Sequence, residues 1–274
     1  MTVLLQVSDP HFGTEQAEVV AALERFAHAL QPDVLLLSGD ITQRGTAAQF
    51  ALARAFVERL RVPAVLAIPG NHDISLFNPL RRLFAPYRRF ARAFGTLLEP
   101  EFESPDVLVL ALNTTRRYRH ADGAVSAAQI ERTARRLAAA TPAQWRIVVV
   151  HQPVAVTRPA DDHNLLHGHA RAVRHWAAAG ADLVVGGHIH LPFVLPLRAR
   201  WPDLARPMWA VQAGTAVSTR VRADVGNSVN VIRIAAPGEP DAQRHCSVER
   251  WDHAAATQAF ERVAAHRLER ADER

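Results

Sequence analysis

The stretch DLVVGGHIH, residues 182–190, joins a run of apolar residues to two histidines that stand one residue apart, His188 and His190. The apolar run is typical of a buried strand. In an extended chain alternate side chains share a face, so both imidazoles would project in the same direction. The stretch therefore predicts a core strand with a pair of potential metal ligands at its end, provided that other parts of the chain supply further ligands.

Similar apolar runs recur along the chain and are separated by amphipathic stretches. Strands are predicted for TVLLQVSD (2–9), DVLLLSGD (33–40), PAVLAIPGNHD (63–73), DVLVLALN (106–113) and RIVVVHQP (146–153). Helices are predicted near 15–30, 46–60, 126–140 and 169–179. This alternation favours βαβ units around a largely parallel sheet, whereas the pattern after residue 206 predicts strands without helices. We therefore expect an α+β sandwich of two sheets in one domain, residues 1–252, followed by a C-terminal helix or tail, residues 253–274.

Composition narrows the class of protein and of partner. The 274 residues are 49% hydrophobic and 22% charged, and no stretch approaches the roughly 20 apolar residues of a membrane helix, so we expect no membrane association. All 32 basic residues are arginines, which excludes chemistry that depends on a lysine. The net charge of +5 suits anionic partners but does not establish nucleic-acid binding. Cys246 is the single cysteine, so we expect no internal disulfide and a cytoplasmic location.

The predicted strands are followed by residue types that bind metal ions. These residues are Asp9 and His11 in SDPH, Asp40 in SGD, Asn71, His72 and Asp73 in PGNHD, His151 in VVVHQP, and the pair His188 and His190. Because ligands gather at the carboxyl ends of strands in open α/β sheets, we expect these side chains to converge. A mixed set of imidazoles, carboxylates and an amide suits Zn, Mn, Fe, Co or Ni better than it suits calcium. Any one of the motifs has an ordinary structural explanation, such as a helix N-cap, but five in order favour a metal site.

The order D-x-H, G-D, G-N-H-D, H, G-H-x-H resembles that of the calcineurin-like metallophosphoesterase superfamily, and the motifs span residues 9–190. The full GHIH and an Arg-rich insert after GNHD, at about residues 76–95, resemble bacterial class III cyclic-nucleotide phosphodiesterases. The resemblance implies a four-layer αββα sandwich of two mixed β-sheets flanked by helices. It also makes residues 1–252 the metallophosphoesterase domain.

The resemblance implies two divalent or trivalent metal ions, Mn, Fe or Zn, as cofactors. One ion would be held by Asp9, His11, Asp40 and His190, and the other by Asp40, Asn71, His151 and His188. Asp40 would then bridge the pair. His72 would be the catalytic residue that donates a proton or stabilises charge, with Asp73 orienting it. The implied reaction is hydrolysis of a phosphate ester by a hydroxide that bridges the ions.

Four residues are expected to contact the substrate: Asn71, through its amide NH₂, together with His72, Arg88 and Arg89. The two arginines lie in NPLRRLFAPYRRFARAF, residues 78–94, whose arginines fall on one side of a helical wheel and whose apolar residues fall on the other. We expect Pro86 to divide this segment into two short helices. A clamp for the anionic part of a substrate, a nucleic-acid groove and a solvated surface are all compatible with this pattern.

The segment QAGTAVSTR, residues 212–220, leaves two interpretations open. Its small residues would let the backbone approach the metal centre, or the segment forms an ordinary turn. The expected partner of the whole protein is a small anionic phosphate ester, most of all a phosphodiester such as a cyclic nucleotide. The alternatives to this function are a nuclease, a phosphomonoesterase and a non-catalytic scaffold. Nucleic acid is a less favoured partner than a small phosphate ester. The formation of a homodimer stays open.

Overall fold

Two six-stranded sheets pack face to face in the computed structural model of the protein, which describes residues 1–75, 79–119, 121–222, 224–235 and 245–270. The first sheet contains, in spatial order, β12 (Ala259–Glu269), β11 (His245–Ala254), β10 (Ser228–Ile234), β1 (Thr2–Val7), β2 (Val34–Leu37) and β3 (Ala64–Ala67). Strands β1, β2 and β3 are parallel, and the other pairings are antiparallel. The carboxyl ends of β1, β2 and β3 therefore meet at one edge of this sheet.

The second sheet contains, in spatial order, β4 (Glu101–Glu103), β5 (Val107–Ala111), β6 (Trp145–Val149), β7 (Leu183–Gly186), β9 (Trp209–Gln212) and β8 (Phe193–Pro196). Its four central strands are parallel, whereas β4 and β8 pair antiparallel at the two edges. The apolar runs predicted the central strands. They did not predict the short edge strands β4 and β8, because β4 carries two glutamates and the apolar stretch around β8, residues 191–197, is divided by Pro192 and Pro196.

The six α-helices of the described chain are α1 (Ala17–Leu30), α2 (Ala47–Leu60), α3 (Pro79–Phe84), α4 (Arg88–Phe94), α5 (Ala127–Ala138) and α6 (His169–Ala178). Side chains of α1, α2 and α4 pack on the first sheet, and those of α5 and α6 pack on the second. Within the described ranges, no helix has both the length and the apolar character that crossing a membrane requires.

The central strands are apolar on both faces because each sheet is covered on both sides. On β1 and β2, Leu5 and Leu35 point towards the helices, while Leu4 and Leu36 point towards the other sheet. All four are fully buried, and burial of each such side chain stabilises the fold by about 1.5–3 kcal/mol. This layering of helix, sheet, sheet and helix confirms the predicted αββα sandwich.

The expectation of a helix or tail at residues 253–274 was wrong. Residues 259–269 form β12, which pairs antiparallel with β11 along its whole length, and residues 271–274 lie outside the described ranges. Phe260 and Leu268 are buried on this strand. The alanine-rich composition favours a helix locally, but the open edge of the long β11 supplies backbone hydrogen-bond partners that override this preference.

The Arg-rich insert is divided at Pro86 into α3 and α4, as predicted, and its residues 76–78 lie outside the described ranges. The predicted apolar face holds only in α4, where Phe90 is fully buried beside α2. In α3, Leu80 and Phe84 are exposed to solvent. The helical wheel treats residues 78–94 as one continuous helix. Because the chain breaks at Pro86, the apolar residues of α3 and α4 do not share one face.

Candidate metal centre

The predicted ligands lie in loops that follow the strands, with an unusual backbone conformation. In the described chain eight residues other than glycine have positive φ, and five of them are predicted ligands: Asp9 (50°), His11 (44°), Asp40 (47°), His188 (74°) and His190 (53°). The left-handed conformation costs about 1–2 kcal/mol per residue. Such strain concentrates at functional sites, where the surrounding structure imposes it.

His188 and His190 do not project from one face of a strand, so the argument from alternation was wrong. Strand β7 ends at Gly186, and both histidines lie in the loop beyond it. The His188 backbone N–H donates to Asp9 Oδ2 at 2.9 Å, and His190 Nδ1 donates to the Arg220 carbonyl at 2.6 Å. Tertiary contacts therefore direct the two imidazoles, and they direct them to different groups of residues.

The first cluster consists of Asp9, His11 and His190. His190 Nε2 lies 3.1 Å from His11 Nε2 and 3.4 Å from Asp9 Oδ1. Asp9 and His11 are completely buried, and His190 is nearly so. These three side chains come from the loops after β1 and β7, and they could hold one metal ion.

The second cluster consists of Asp40, Asn71, His151 and His188, whose titratable members lie within ligand distance of one another. His151 Nε2 lies 3.2 Å from Asn71 Oδ1 and 3.4 Å from Asp40 Oδ1, and the His188 ring is 5.1 Å from the His151 ring. Asp40 also faces the first cluster, because its Oδ2 is 3.8 Å from His11 Nε2. The structure thus brings all seven predicted ligands together, with Asp40 between the two clusters.

The distances between the donor atoms suit two bound metal ions better than they suit direct hydrogen bonds among these side chains. Atoms that bind one ion at about 2.1 Å lie about 3.0–3.4 Å apart. The closest donor pairs of both clusters have this spacing, whereas His11 Nε2 lies 3.9 Å from Asp9 Oδ1. His151 Nδ1 donates to the Ser38 carbonyl at 2.8 Å, so its Nε2 lone pair faces the oxygens of Asp40 and Asn71. His188 Nδ1 is buried without a hydrogen-bond partner in the described chain, and Asp9 Oδ1 faces His190 Nε2 at 3.4 Å. A bound cation would satisfy these atoms.

Glycines allow the loops to approach closely enough to form the clusters. A Cβ on Gly187 would lie 1.9 Å from Ser8 Oγ and 2.4 Å from Asp9 Oδ2. A Cβ on Gly39, whose φ is +98°, would lie 2.4 Å from His151 Nδ1. The glycines of the G-D and G-H-x-H motifs are therefore required by contact with the neighbouring strand loops.

Burial and mutual charge perturb the titration of the clustered residues. Burial by itself would lower the pKa of His151, but the charge of Asp40 and its hydrogen bond outweigh this effect and raise the pKa to about 9. Burial lowers the pKa of His11 to about 3 and that of His188 to about 4, against the opposing charges of the carboxylates. Burial would also raise the pKa of Asp9, but the hydrogen bond from His190 reverses the direction. The buried carboxylates of Asp9 and Asp40 therefore need nearby positive charge to stay ionised.

His72 lies at the edge of both clusters, with its ring 4.9 Å from that of His11. Its backbone N–H donates to Asp40 Oδ1 at 2.8 Å, and its Nδ1 donates to the Gln43 carbonyl at 2.8 Å. The structure groups His72 with His11 and Asp40 at ligand distance. The predicted proton donor is thus adjacent to the metal centre and held by backbone contacts.

We had expected Asp73 to orient the His72 ring, but it does not contact the ring directly. Its carboxylate accepts hydrogen bonds from the backbone N–H groups of Ile41 (3.0 Å), Thr42 (2.8 Å) and Gly70 (2.9 Å), and from the Thr42 hydroxyl (2.8 Å). Burial, followed by the charge of Asp40, raises the pKa of Asp73 to about 6. Asp73 therefore ties together the two turns that carry Asp40 and His72.

The two predicted substrate arginines are not part of the clusters. Arg89 Nη1 donates to the Gly45 carbonyl at 2.7 Å, and Arg88 is exposed on α4. In the described chain no hydrogen bond or ion pair joins either side chain to a predicted ligand. Arg89 instead connects α4 to the loop that follows β2.

The arginine that does reach the site is Arg220, which the sequence did not distinguish from the other arginines. Its Nη1 lies 3.1 Å from His72 Nε2 and 3.5 Å from His11 Nδ1. It belongs to the segment 212–220, in which the Thr215 hydroxyl donates to the Asp9 carbonyl at 2.6 Å. Of the two interpretations left open for this segment, the close approach of its backbone to the metal centre is the one that the structure supports.

Two known proteins resemble parts of this chain in sequence. A probable cyclic nucleotide phosphodiesterase of Synechococcus sp. is 52% identical over 42 residues, 15% of this chain and 16% of that protein. A glycerophosphodiester phosphodiesterase of Enterobacter lignolyticus is 33% identical over 84 residues, 26% of this chain and 29% of that protein. The matched segments thus span less than a third of either relative.

Solved structures share the fold across nearly the whole chain at low sequence identity. A dimetal phosphatase from Danio rerio superposes with a TM-score of 0.69 at 11% identity, covering 98% of this chain and 99% of that one. A purple acid phosphatase from yellow lupin (Lupinus luteus) superposes with a TM-score of 0.71 at 11% identity, covering 98% of this chain and 53% of that one. The sequence profile described as "Calcineurin-like phosphoesterase" matches residues 2–192. The chain therefore belongs to the calcineurin-like phosphoesterase family.

Proposed function

We propose that this protein is a phosphodiesterase that uses two metal ions to hydrolyse small anionic phosphodiesters such as cyclic nucleotides. The observation that carries the proposal is the position of Asp40, whose two carboxylate oxygens face different histidines, His151 at 3.4 Å and His11 at 3.8 Å. One carboxylate placed in this way can belong to both ligand sets. Asp9, His11, Asp40 and His190 would form one set, and Asp40, Asn71, His151 and His188 would form the other.

The two ions would supply charge for the phosphate oxygens and activate water at neutral pH. Residues of the protein would then position the phosphate group and transfer the proton to the leaving oxygen. The amide group of Asn71 can present its oxygen to an ion while its NH₂ contacts a phosphate oxygen. His72 would stand beside the reacting phosphate, where an imidazole can donate a proton to the leaving oxygen or stabilise its charge. Backbone contacts to Asp40 and Gln43 hold His72 in that place.

The names of the sequence relatives favour a diester over a monoester. Both relatives matched by sequence are named as phosphodiesterases, one for cyclic nucleotides and one for glycerophosphodiesters. A scaffold without turnover is disfavoured because all seven predicted ligands and His72 are present and clustered. A nuclease on the same centre is the second candidate, and the +5 net charge is the feature that supports it.

A panel of substrates tests the proposal. Metal-free protein is reconstituted with Mn²⁺, Fe²⁺ or Zn²⁺ and assayed on cyclic nucleotides, a linear diester, a monoester and single-stranded nucleic acid. We expect turnover of small diesters that requires added metal and is lost in Asp9→Asn. Faster cleavage of nucleic acid, with a steep decrease in binding as salt rises, would favour the nuclease instead. Absence of turnover on every ester after two ions are bound would refute the proposal.

A further inference from the structure

Arg220 places a positive charge beside the two clusters. Its Nη1 lies 3.1 Å from His72 Nε2, 3.3 Å from Gln43 Oε1 and 3.5 Å from His11 Nδ1. All three of these partners are atoms of neutral groups when the histidines are unprotonated. Across the ranges that the structure describes, no carboxylate forms an ion pair with this guanidinium.

The contact with His72 has a defined direction. His72 Nδ1 donates to the Gln43 carbonyl, so Nε2 carries the lone pair and accepts a hydrogen bond from Arg220. Arg220 and Gln43 together therefore fix the His72 ring, and His72 in turn fixes the guanidinium. The side chain is held in place before any substrate arrives, which lowers the entropy lost on binding.

The backbone that carries Arg220 is anchored to the first cluster by a chain of hydrogen bonds. The Arg220 N–H donates to Ser218 Oγ at 3.1 Å, Ser218 Oγ donates to Thr215 Oγ1 at 2.7 Å, and Thr215 Oγ1 donates to the Asp9 carbonyl at 2.6 Å. The Arg220 carbonyl accepts from His190 Nδ1. Residues 213–218 are buried. The guanidinium thus has a rigid position relative to Asp9 and His190.

A guanidinium beside a centre that gathers cations is favourable only when an anion offsets the combined charge. A phosphate group suits this position because its oxygens accept the charge-assisted hydrogen bonds that arginine donates. We propose that Arg220 binds an oxygen of the substrate's phosphate group and that Gln43 and His72 hold its guanidinium ready to do so. This inference rests on the proposed phosphoesterase function and adds a substrate-binding residue to it.

The test measures binding of inorganic phosphate to the metal-loaded protein by calorimetry, with metal content determined on the same samples. In Arg220→Gln we expect the dissociation constant for phosphate to rise about 10- to 100-fold, because one charge-assisted contact is lost. Two metal equivalents should remain, since His190 is oriented by the Arg220 carbonyl and not by its side chain. Arg220→Lys keeps the charge without the planar group and should recover part of the affinity.

Arg92→Gln is the matched control, because Arg92 is exposed on α4 and the substitution removes the same charge. It should leave phosphate affinity unchanged, which separates a local contact from a change in net charge. Unchanged phosphate affinity in Arg220→Gln would overturn the inference, and so would loss of metal together with phosphate, which would indicate a structural role. Wild-type protein that binds no phosphate after metal loading would overturn it too.

The outcomes for Arg220 and for the proposed function are distinguishable. Wild-type protein that binds phosphate through Arg220 but hydrolyses no ester would refute the function and leave the anion-binding residue in place. Wild-type protein that hydrolyses a diester, with Arg220→Gln matching it in KM and in phosphate affinity, would refute only the role of Arg220.

Discussion

Three histidines at this centre are oriented by the same device, a hydrogen bond from Nδ1 to a backbone carbonyl. The acceptors are Ser38 for His151 (2.8 Å), Arg220 for His190 (2.6 Å) and Gln43 for His72 (2.8 Å). For His151 and His190 this bond would leave the Nε2 lone pair for a metal ion, and for His72 it turns Nε2 towards the centre. At the scale of single residues, the site therefore depends on backbone carbonyls that no sequence motif records.

Asp40 is the residue whose substitution should have the largest effect on metal content. In Asp40→Asn one of the two oxygens that face His11 and His151 becomes an NH₂ group, so both ligand sets are weakened. We expect the purified variant to retain clearly fewer than two metal equivalents by elemental analysis and to lose activity. Asp203→Asn, the same change at an exposed position, should retain both. Two equivalents and unchanged activity in Asp40→Asn would contradict the bridging role.

His72 should affect rate more than metal binding. In His72→Ala we expect both ions to remain and kcat to fall by roughly 10²–10⁴, the range for loss of a general acid. The decrease should be smaller for a nitrophenyl diester than for an alkyl diester, because nitrophenolate leaves without a proton. His163→Ala, at an exposed histidine, serves as the control. Equal losses on both substrates would exclude proton donation.

At the scale of elements, the predicted ligands lie on the loops that follow the strands and not on the strands themselves. The strands β1, β2 and β7 end at Val7, Leu37 and Gly186, each two residues or more before the first ligand that follows it. The ligands then lie on loops whose left-handed residues and close glycine contacts are imposed by neighbouring loops. Each sheet brings its own loops to one edge, the packing of the two sheets brings these edges together, and contacts between the loops set the distances.

Asp73 is the clearest link between two such turns, and its loss should destabilise the fold. Each of its oxygens accepts two hydrogen bonds from Ile41, Thr42 and Gly70. In Asp73→Asn one oxygen becomes an NH₂ group that faces N–H donors, so we expect the free energy of unfolding to fall by roughly 2–4 kcal/mol. Chemical denaturation measures this change. Thr42→Val removes the hydroxyl that donates to Asp73 and accepts from the Gly45 N–H, but it leaves the three backbone bonds to Asp73, so it should cost less than Asp73→Asn. Equal stabilities of Asp73→Asn and wild type would refute the role.

At the scale of the whole molecule, charges from distant parts of the chain meet in a buried centre, which makes stability depend on pH and metal. In the metal-free protein the charge of Asp40 outweighs burial and raises the pKa of His151 to about 9, and that of His190 is also raised. A raised pKa stabilises the fold fully below the unfolded value of about 6.5, and this contribution is lost as the pH rises through the folded value.

We therefore expect the melting temperature of the metal-free protein to fall between pH 7 and pH 9. Metal ions bind only deprotonated imidazole, so their affinity should rise over the same interval as protons cease to compete. The difference in melting temperature between the Mn²⁺-loaded and metal-free protein should widen with pH. Thermal denaturation with and without metal measures it, and His163→Gln should behave as wild type. A difference that stays constant from pH 7 to pH 9 would contradict the expected charge balance.

The sequence by itself indicated a sandwich of buried strands and the residues that could bind metal, whereas the four-layer αββα arrangement and the assignment of the ligands were implied by the resemblance of its motifs to the metallophosphoesterase superfamily. Continuous apolar runs indicate strands covered on both faces, and polar residues after them must meet at one edge when the strands are parallel. Both inferences need only local pattern and the geometry of a parallel sheet. For this reason Asp9, Asp40 and Asn71, which follow β1, β2 and β3 of the first sheet, could be predicted to converge, and they do. His151 follows β6 of the second sheet and meets them because the two sheets pack together.

Only the tertiary structure decided the features that depend on contacts between distant segments. The strand β12 exists because β11 offers an open edge, although its own composition favours a helix. The direction of His188 and His190 comes from Asp9 and Arg220, not from alternation along a strand. Arg220 itself is one of many arginines, and its place beside His72 follows from hydrogen bonds to residues about 150 to 210 positions away, a separation over which local pattern carries no information.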